Sequence, residues 1–415
     1  MAQVPEFRLT DPELMECPYP HYTRAFESGE RVLTDPDIGV TVLGYKELIE
    51  MSRNPGVFSS ELSARPLHMG ISPEPIQDDV LEILGELPDV QNALFGADPP
   101  AHTRHRKIIN QALNPRRLRQ LEPQVQDICD KLVAAFVDSG EVDFLPRFAI
   151  MLPLTVVSDI VGVRHDDMMV FKYWGEEMIA GNSHVLDNAR RREVARALVD
   201  FHQYFEPLIE ARRAAPTEDL LSWLTHAQVD GEPGLTNPEL GVIVSQILLA
   251  GHETTTNLIG NALVLLCRDE ALQARLRANP GDIPKFVEEV LRWDPPIQCT
   301  MRRAAAETEF HGHTSARDQW VVPMWGAGSR DPEVFPDPEV FDIDRPNVRN
   351  HLGFGHGIHF CVGSELARME ARIAFETLMR TTSHWEIDEY RSDLTHPPTF
   401  AQHGYKKIVL RFTKT

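Results

Sequence analysis

The chain has 415 residues, 42% of them hydrophobic and 25% charged, which is typical of a globular protein with a large core. Its 41 basic and 62 acidic residues give a net charge of -21, which argues against a general nucleic-acid binder, because such a protein needs a basic surface. The five cysteines are scattered and include no CxxC pair, so they argue against a disulfide framework or a structural zinc site and favour a reducing cytoplasm.

The first residues, MAQVPEFRLTDPEL, have neither the basic nor the apolar region of a secretory signal. The longest apolar stretch, LGVIVSQILLAG, is too short and too polar to span a bilayer, so we expect no membrane insertion. Strand-like segments occur as RVLTDPDIGVTVL, QWVVPMW and KKIVLRF, whereas the sequence from Pro115 to Arg380 is mostly typical of helices. Because no repeat or clear linker is visible, we predict one large, mainly α domain with small β sheets over residues 1–415.

The segment ADPPAHTRHRKIINQALNP predicts a helix that starts at Asp98, with prolines in its first turn. His102 and Arg106 are four residues apart and therefore share a helix face, which would suit an anion. Six basic residues and no acidic residue occur between His102 and Arg119, which is unusual in so acidic a chain. This basic island indicates either a solvated helix face or a docking surface for an acidic partner.

A long helix is predicted from LTNPELGVIVSQILLAGHETTTNLIGNALVLLC, which opens with Thr236 and Glu239 at capping-box spacing. Its apolar body is interrupted at Gly251, and the threonines that follow are poor helix formers whose hydroxyls compete for backbone carbonyls. We therefore expect a local distortion that places the acid Glu253 and the alcohol Thr254 in an apolar environment. The alternative is a buried helix with a solvated polar notch.

In FVEEVLRW, Glu289 and Arg292 are three residues apart and share a helix face. An isolated pair of this kind is most often a surface ion pair that contributes little. The apolar neighbours indicate burial instead, and a buried pair needs further partners, for which Arg345 in FDIDRP is a candidate. The proline-dense segment DPEVFPDPEVFDIDRP around it predicts an extended, ordered meander.

The segment LGFGHGIHFCVG contains four glycines, two histidines and Cys361, and it directly precedes a helix-like run. Glycines allow tight turns and close approach of the backbone, and amide groups at a helix N-terminus favour a thiolate. Taken alone, Cys361 could be a small buried hydrophobe, or a nucleophile with His356 or His359 as its base. One thiol and two crowded histidines make a poor zinc site.

Taken together, these segments resemble the cytochrome P-450 family. FGHGIHFCVG matches the family's haem-binding loop, FxxGxxxCxG, at every fixed position. AGHETT resembles its oxygen-activating helix, EVLR its ExxR pair, FDIDRP its meander and DPPAHTRHR the propionate-contacting helix of the bacterial members, all in the family's order. The resemblance implies a cytochrome P-450 fold, a triangular helical domain with a β-rich N-terminal part. The length is similar to that of the soluble bacterial branch.

The resemblance also implies haem b as the cofactor, and it implies roles for individual residues. Cys361 would ligate the haem iron, and Glu253 and Thr254 would deliver protons to iron-bound dioxygen. Glu289, Arg292 and Arg345 would form a structural triad. Further haem contacts are implied for His102, Arg106, Arg302 and His359 at the propionates, and for Phe354, Gly355, Gly363, Ala250 and Gly251 around the ring.

The implied activity is that of a haem-thiolate monooxygenase, which inserts one oxygen atom from O2 into a small-to-medium apolar organic substrate by hydroxylation or epoxidation. The corresponding pocket residues are Leu248, Leu249, Ile297, Gln298, Thr399 and Phe400, under a lid formed by residues 65–95. The alternatives are a peroxide-driven peroxygenase, an isomerase or a non-catalytic haem sensor, but none of these needs the Glu253–Thr254 pair.

The chain shows neither a dinucleotide-binding motif nor an iron–sulfur cysteine pattern, so electrons are expected from an external ferredoxin and its reductase. An acidic ferredoxin would suit the basic island, and we expect a monomer. The resemblance departs from the family at Ser329, where asparagine is common, and we expect this to affect only a local turn. The residues expected to contact the ferredoxin are Arg104, Lys107, Arg116, Arg117 and Arg119, with Arg349 as a further member.

Overall fold

The computed structural model describes residues 7–61, 74–87, 93–183, 186–229 and 231–415. The chain divides into two compact units. The sheet unit comprises Met1–Ser59, Leu121–Pro153 and Thr254–Thr415. The helical unit comprises Ser60–Gln120 and Leu154–Glu253. The single haem domain over residues 1–415 stays a prediction, and residues 65–73 and 88–92 of the expected lid lie outside the described residues.

Helices account for most of the regular structure, as the sequence predicts. The α-helices in the described ranges are α1 (Pro12–Glu16), α2 (Tyr19–Ser28), α3 (Tyr45–Ser52), α4 (Asp78–Leu84), α5 (Ala101–Ala112), α6 (Pro115–Ala134), α7 (Met151–Val161), α8 (Met168–Ser183), α9 (Asn188–Ala214), α10 (Leu220–His226), α11 (Asn237–Arg268), α12 (Glu270–Ala278), α13 (Ile283–Trp293), α14 (Trp325–Gly328) and α15 (Ser364–Thr381). No helix within these ranges combines the length and the apolar character that a membrane crossing requires.

Within the described ranges, the strands lie in the sheet unit and form three small sheets. They are β1 (Val32–Asp35), β2 (Gly39–Val42), β3 (Phe58–Ser59), β4 (Glu141–Asp143), β5 (Arg302–Ala304), β6 (Thr308–Phe310), β7 (His313–Ser315), β8 (Trp320–Pro323), β9 (Thr382–Ile387) and β10 (Val409–Lys414). The sheet orders are β1-β2-β8-β5-β3, β4-β10-β9 and β6-β7. The three strand-like sequence segments therefore become β1 with β2, β8 and β10, and the mainly α class with small sheets is confirmed.

A hydrophobic cluster in the sheet unit packs the five-stranded sheet against α3 and α14. Val40 of β2 and Val321 of β8 pair in parallel register and are both buried. Leu48 of α3 and Trp325 of α14 belong to the same cluster. These apolar contacts hold α14, the helix that follows β8, against the sheet. The proline-rich meander begins shortly after α14 in the chain.

Helix α5 begins later than the sequence predicts. Its first residue is Ala101, and Asp98 lies outside the helix, where its side chain accepts a hydrogen bond of 2.9 Å from the Ser60 amide. Asp98 and Pro99 each precede a proline, and the proline ring disfavours the helical conformation of the residue before it. The expected start at Asp98 is therefore wrong by three residues.

Helix α11 has the predicted capping box. The Thr236 amide donates to Glu239 Oε2 at 2.8 Å, and the Glu239 amide donates to Thr236 Oγ1 at 3.3 Å. The helix is continuous from Asn237 to Arg268, so the distortion expected at Gly251 does not interrupt it. The Thr256 hydroxyl donates to the Ala149 carbonyl at 3.0 Å and so finds a partner outside the helix.

The ion pair of α13 is fully buried, so the surface-pair interpretation is wrong. Arg292 donates two hydrogen bonds to Glu289, at 2.8 Å and 2.7 Å, and both side chains are 0% exposed. Arg345 reaches the same carboxylate at 3.5 Å. The two arginines also donate to backbone carbonyls of the meander, at Pro336, Asp337, Pro338 and Val340.

This network predicts a large loss of stability on Glu289→Gln. The substitution leaves two buried guanidinium groups without a counter-charge, which costs about 3–5 kcal/mol of the free energy of unfolding. Urea unfolding monitored by circular dichroism measures the loss. The matched control is Glu333→Gln, since Glu333 also pairs with two cations, Arg31 and Lys46, but is exposed, so we expect little change. Equal losses in the two variants would contradict the account.

Candidate functional site

The thiol loop, residues 351–363, connects the meander to α15. Gly363 is the N-cap of α15, so Cys361 lies three residues before the first turn of that helix. The Cys361 amide donates to the Phe354 carbonyl at 3.0 Å, which closes the loop on itself. The Cys361 side chain is half-buried, and partial positive charge at a helix N-terminus favours its thiolate form.

Two glycines in the loop have no room for a side chain. A Cβ atom at Gly353 would lie 2.6 Å from the Leu291 carbonyl oxygen. A Cβ atom at Gly357 would lie 2.7 Å from the Ser52 carbonyl oxygen, and Gly357 has a φ of +75°. Gly353 therefore keeps the loop close to α13, and Gly357 keeps it close to α3.

The other cysteines differ from Cys361 in environment. Cys129 and Cys299 are buried and Cys267 is half-buried, and burial raises the pKa of each of these thiols. Burial also raises the pKa of the Cys17 thiol. A buried apolar site disfavours the thiolate that a metal requires. Among the cysteines, Cys361 alone combines a glycine-rich loop with a helix N-terminus.

A buried charge network that the sequence reasoning missed supports the start of the loop. Glu288 accepts hydrogen bonds from Arg368 Nε at 2.6 Å and from His351 Nε2 at 3.0 Å. The Gly353 amide donates to His351 Nδ1 at 3.1 Å, so Nε2 carries the proton that is donated to Glu288. The Arg368 guanidinium lies 4.6 Å from the centre of the Phe354 ring. The network therefore packs under Phe354.

Ser329 is also part of this support, which corrects the expectation that it affects only a local turn. Its side chain is buried, donates to the Trp325 carbonyl at 2.9 Å and accepts from the Leu352 amide at 2.9 Å. The Ser329 hydroxyl thus fixes the first residues of the thiol loop. No residue spacing in the sequence predicts the contacts of Ser329 or of the Glu288 network. The adjacent acids Glu288 and Glu289 are the one feature of the sequence that could have indicated the network.

The expected propionate contacts are distributed over both units. In the sheet unit, Arg302 is part of β5, and His359 is in the short helical turn Gly357–His359 of the thiol loop. In the helical unit, His102 and Arg106 are one turn apart on α5, and His102 is buried. The positions of His102 and Arg106 on α5 agree with the predicted shared helix face. The haem contacts of all four residues stay predictions.

Helix α11 carries the residues expected at the oxygen site. Gly251 packs against α7, because a Cβ atom there would lie 2.9 Å from Val157 Cγ2. This close packing explains why position 251 is a glycine. It adds to the role at the haem ring that the resemblance implies for Gly251 and its neighbour Ala250. Burial alone would raise the pKa of Glu253, but the neighbouring His252 and the charge of Lys172 outweigh burial, so the pKa is below its ordinary value. Thr254, the alcohol of the expected acid–alcohol pair, directly follows Glu253 in α11.

The expected pocket residues of the sheet unit come from two segments that pair with each other. The Gln298 amide donates to the Ala401 carbonyl at 2.9 Å, and Ile297 pairs with Gln402 in an antiparallel bridge. Thr399 and Phe400 directly precede Ala401 in the chain and are both buried. Leu248 and Leu249 belong to α11 in the helical unit, and Leu248 is buried.

Gln298 does not have the free side chain expected of a pocket residue. Its Oε1 accepts from the Tyr22 hydroxyl at 3.0 Å, and its Nε2 donates to the Pro295 carbonyl at 2.9 Å. Its side chain is 2% exposed. We conclude that Gln298 supports the local backbone, a role that its sequence position could not reveal because Tyr22 is distant in the chain.

The basic island is smaller than the sequence indicates. Arg104 forms an ion pair with the buried Glu239, and the guanidinium of Arg117 lies 4.2 Å from the ring of Trp223. Both cations are therefore occupied within the helical unit, which corrects their expected place on a contact face. The exposed members are Lys107, Arg116 and Arg119 in the helical unit, and Arg349 in the sheet unit.

Comparison with known proteins identifies the family. Residues 76–280 and 283–407 match the family model described as Cytochrome P450. The 6-deoxyerythronolide B hydroxylase of Saccharopolyspora erythraea is 38% identical over 68% of each chain. The steroid C26-monooxygenase of Mycobacterium tuberculosis (strain CDC 1551 / Oshkosh) is 31% identical over 89% of this chain and 93% of its own. The solved structure of cytochrome P450 CYP109Q5 from Chondromyces apiculatus, 30% identical, superimposes with a TM-score of 0.85 over 100% of both chains.

The architecture and the matched motifs thus define a haem-dependent oxidoreductase. The chain belongs to the cytochrome P450 family, whose members bind haem through a cysteine thiolate and act as monooxygenases.

The thiol loop fits the family's cofactor. It presents one half-buried thiol beside a helix N-terminus, and its glycines allow the close backbone packing that side chains would prevent. No group of three or more histidine, cysteine or acidic residues within the described ranges is arranged to hold a metal ion. A single thiolate is the donor that haem iron requires from the protein in this family.

The Glu288 network predicts a specific dependence of stability on pH. Burial raises the pKa of Glu288, but the bonds and charges of His351 and Arg368 outweigh it and lower the pKa from 4.5 to about 2. A depressed carboxyl pKa stabilises the folded state above the unfolded-state value and stops doing so as pH falls through the folded-state value.

We therefore expect the difference in free energy of unfolding between the wild type and Glu288→Gln to be largest above pH 5 and to shrink towards pH 2. Denaturant unfolding across that pH range measures it. As a control, Glu86→Gln removes an exposed ion pair with Arg196, and its difference should be small at every pH. A Glu288→Gln difference that does not vary with pH would show that the carboxylate charge is unimportant.

Proposed function

We propose that the chain is a monooxygenase that holds haem b through Cys361 and receives its electrons from an external ferredoxin. The observation that carries this proposal is the Cys361 loop, with its half-buried thiol, its two sterically required glycines and its place before α15. The bound haem would supply the activation of O2, which amino-acid side chains cannot perform. The protein supplies the ligand, the anion contacts, the proton donors and the substrate pocket.

The anionic edge of the haem would be held by basic side chains. On the motif resemblance we assign Arg302 and His359 of the sheet unit to the propionates, together with His102 and Arg106 of the helical unit. Arginine and histidine suit carboxylates because they donate charge-assisted hydrogen bonds. The Phe354 ring and the glycines of the loop would contact the ring system itself.

Proton delivery is assigned to Glu253 and Thr254. The lowered pKa of Glu253 keeps it ionised at neutral pH, so it can accept a proton from water and pass it on. About one fifth of its side-chain surface is exposed, which gives it access to water. The Thr254 hydroxyl can donate and accept a hydrogen bond at the same time.

The redox partner is expected to be an acidic, ferredoxin-type protein. Lys107, Arg116 and Arg119 are exposed on α5 and α6, in a chain whose net charge is -21. In the sheet unit, Ile358 and Phe360 of the thiol loop are exposed apolar side chains next to Cys361, with 38% and 39% of their surfaces accessible. Exposed apolar residues and exposed charges of one sign are each typical of transient protein interfaces.

The substrate is expected to be an apolar molecule of steroid size. Two relatives support this class by their names, one a steroid monooxygenase and the other a hydroxylase of 6-deoxyerythronolide B. The residues expected at the pocket include Ile297 and Phe400 in the sheet unit and Leu248 in the helical unit, and all three are apolar. An apolar lining with few polar groups is typical of small-molecule pockets.

Turnover with separate electron sources tests the activity. With a steroid substrate, we expect product that depends on NADH, a ferredoxin and its reductase, and that contains one oxygen atom from labelled O2. Mass spectrometry of the product measures the label. Product with peroxide alone would indicate a peroxygenase, and haem binding without product from either source would indicate a sensor. Either result would overturn the proposal.

The partner surface is tested by charge reversal at Lys107, Arg116 and Arg119, each changed to Glu. We expect the second-order rate of reduction by ferredoxin at low salt to fall at least tenfold, by rough estimate, and to lose its salt dependence. Stopped-flow absorbance of the haem measures this rate.

The matched control reverses three other exposed cations of the helical unit, Arg164, Arg192 and Arg196, with the same change in net charge. This control should reduce normally. If both triple variants behave alike, net charge alone governs association and the proposed surface is wrong.

A further inference from the structure

His252 is a buried histidine for which neither the fold nor the family match gives a role. It precedes Glu253 in α11 and is 2% exposed. Its Nδ1 atom lies 2.7 Å from the carbonyl oxygen of Leu248, one turn earlier in the same helix. A carbonyl oxygen can only accept a hydrogen bond, so Nδ1 carries a proton.

The other ring nitrogen faces the carboxylate of the next residue. His252 Nε2 is buried, has no hydrogen bond within the described part of the chain, and lies 3.5 Å from Glu253 Oε1. With Nδ1 protonated, a neutral ring presents a lone pair at Nε2, which would repel an ionised carboxylate. A single proton at this position removes the repulsion, whether it is on Nε2 or on Oε1.

The surroundings hold the ring in this orientation. Gly175 of α8 packs directly on it, since a Cβ atom there would lie 2.8 Å from His252 Cε1 and 3.2 Å from Nε2. The charged groups of α8 nearby are Lys172 and Glu176, which form an ion pair with each other. The charge of Lys172 also lowers the pKa of Glu253, so the ionised form of the carboxylate is favoured.

We propose that His252 is a positioning residue that holds a reserve proton for Glu253. This inference rests on the proposed role of Glu253 as proton donor. When Glu253 has passed its proton on, the Nε2–H of the His252 imidazolium donates its proton to Glu253 Oε1, and the ring stays protonated at Nδ1. A proton from water, taken up through the partly exposed Glu253, restores the imidazolium. One proton enters for each proton that leaves.

His252→Gln tests the reserve, because glutamine can hydrogen-bond but cannot store a proton. We expect the fraction of electrons recovered in product, rather than in hydrogen peroxide, to fall about tenfold, with substrate affinity unchanged. The loss should shrink as pH rises, because the wild-type ring then holds a proton at Nε2 less often. Coupling measured from pH 6 to 9, with substrate titrations at each pH, gives both quantities.

The matched control is His202→Gln. His202 is a histidine of the same unit whose ring also rests on a glycine, Gly241 of α11, with 3.1 Å between Cε1 and the position of a Cβ atom. This variant should couple as the wild type does. Wild-type coupling of His252→Gln at every pH would overturn the proposal.

A second measurement keeps the inference testable if His252→Gln folds poorly. Nitrogen-15 NMR of histidine-labelled, haem-loaded protein, in its diamagnetic reduced complex with CO, identifies which ring nitrogen of His252 is protonated. Gly175→Ala, which presses on the ring and leaves both side chains present, assigns the resonance by its shift. We expect a proton on Nδ1 throughout, and an Nε2 resonance that moves in Glu253→Gln. A bare Nδ1, or an Nε2 resonance unaffected by Glu253→Gln, would contradict the proposal.

This readout separates the inference from the proposed function. If the wild type forms no product with the ferredoxin system, the proposed function fails, and the NMR experiment still reports whether His252 and Glu253 share a proton. If the wild type is active but the two His252 measurements give the contrary results, only the inference fails.

Discussion

The buried ion pair between Glu289 and Arg292 is the interaction on which the arrangement of the thiol loop depends. An ionised group in the interior is stable only when all of its hydrogen-bonding capacity is used. α13 alone cannot satisfy Arg292, so carbonyls of the meander, at Pro338 and Val340, complete its coordination. The meander has no helix or strand of its own, and these bonds to the guanidinium give it a fixed path.

The same helix determines where the loop begins. Glu288, the neighbour of Glu289, binds His351, and the Ser329 hydroxyl binds the Leu352 amide. The loop therefore starts from two buried side-chain contacts, and it closes where the Cys361 amide reaches Phe354. A thiol that must ligate iron needs this rigidity, because supporting interactions orient a metal ligand and tune its electronic properties. The buried charges of α13 and the ligand loop thus form one connected structure.

The sequence predicts the structural features that depend on the spacing of nearby residues. It predicts less well the contacts of a side chain whose partner is distant in the chain. The capping box of α11 and the strands near the chain ends follow from short patterns, and the family resemblance supplies the order of the motifs. Arg117 was expected on a contact face, but it packs on Trp223, more than one hundred residues away. The contacts of Ser329 and Gln298 likewise do not follow from the sequence, because their partners are brought together only by tertiary folding. The predicted start of α5 at Asp98 is wrong for a local reason, because a proline disfavours the helical conformation of the residue before it.

The central claim is that Cys361 ligates the haem iron as a thiolate, and one spectrum tests it most directly. The full-length protein is loaded with haem, reduced with dithionite and exposed to CO, and its Soret band is compared with that of Cys361→His, which replaces the thiolate by an imidazole. The account predicts the long-wavelength Soret band of a thiolate-ligated haem–CO complex in the wild type and its loss in the variant. A wild-type spectrum identical to that of the histidine variant, in fully haem-loaded protein, would contradict it.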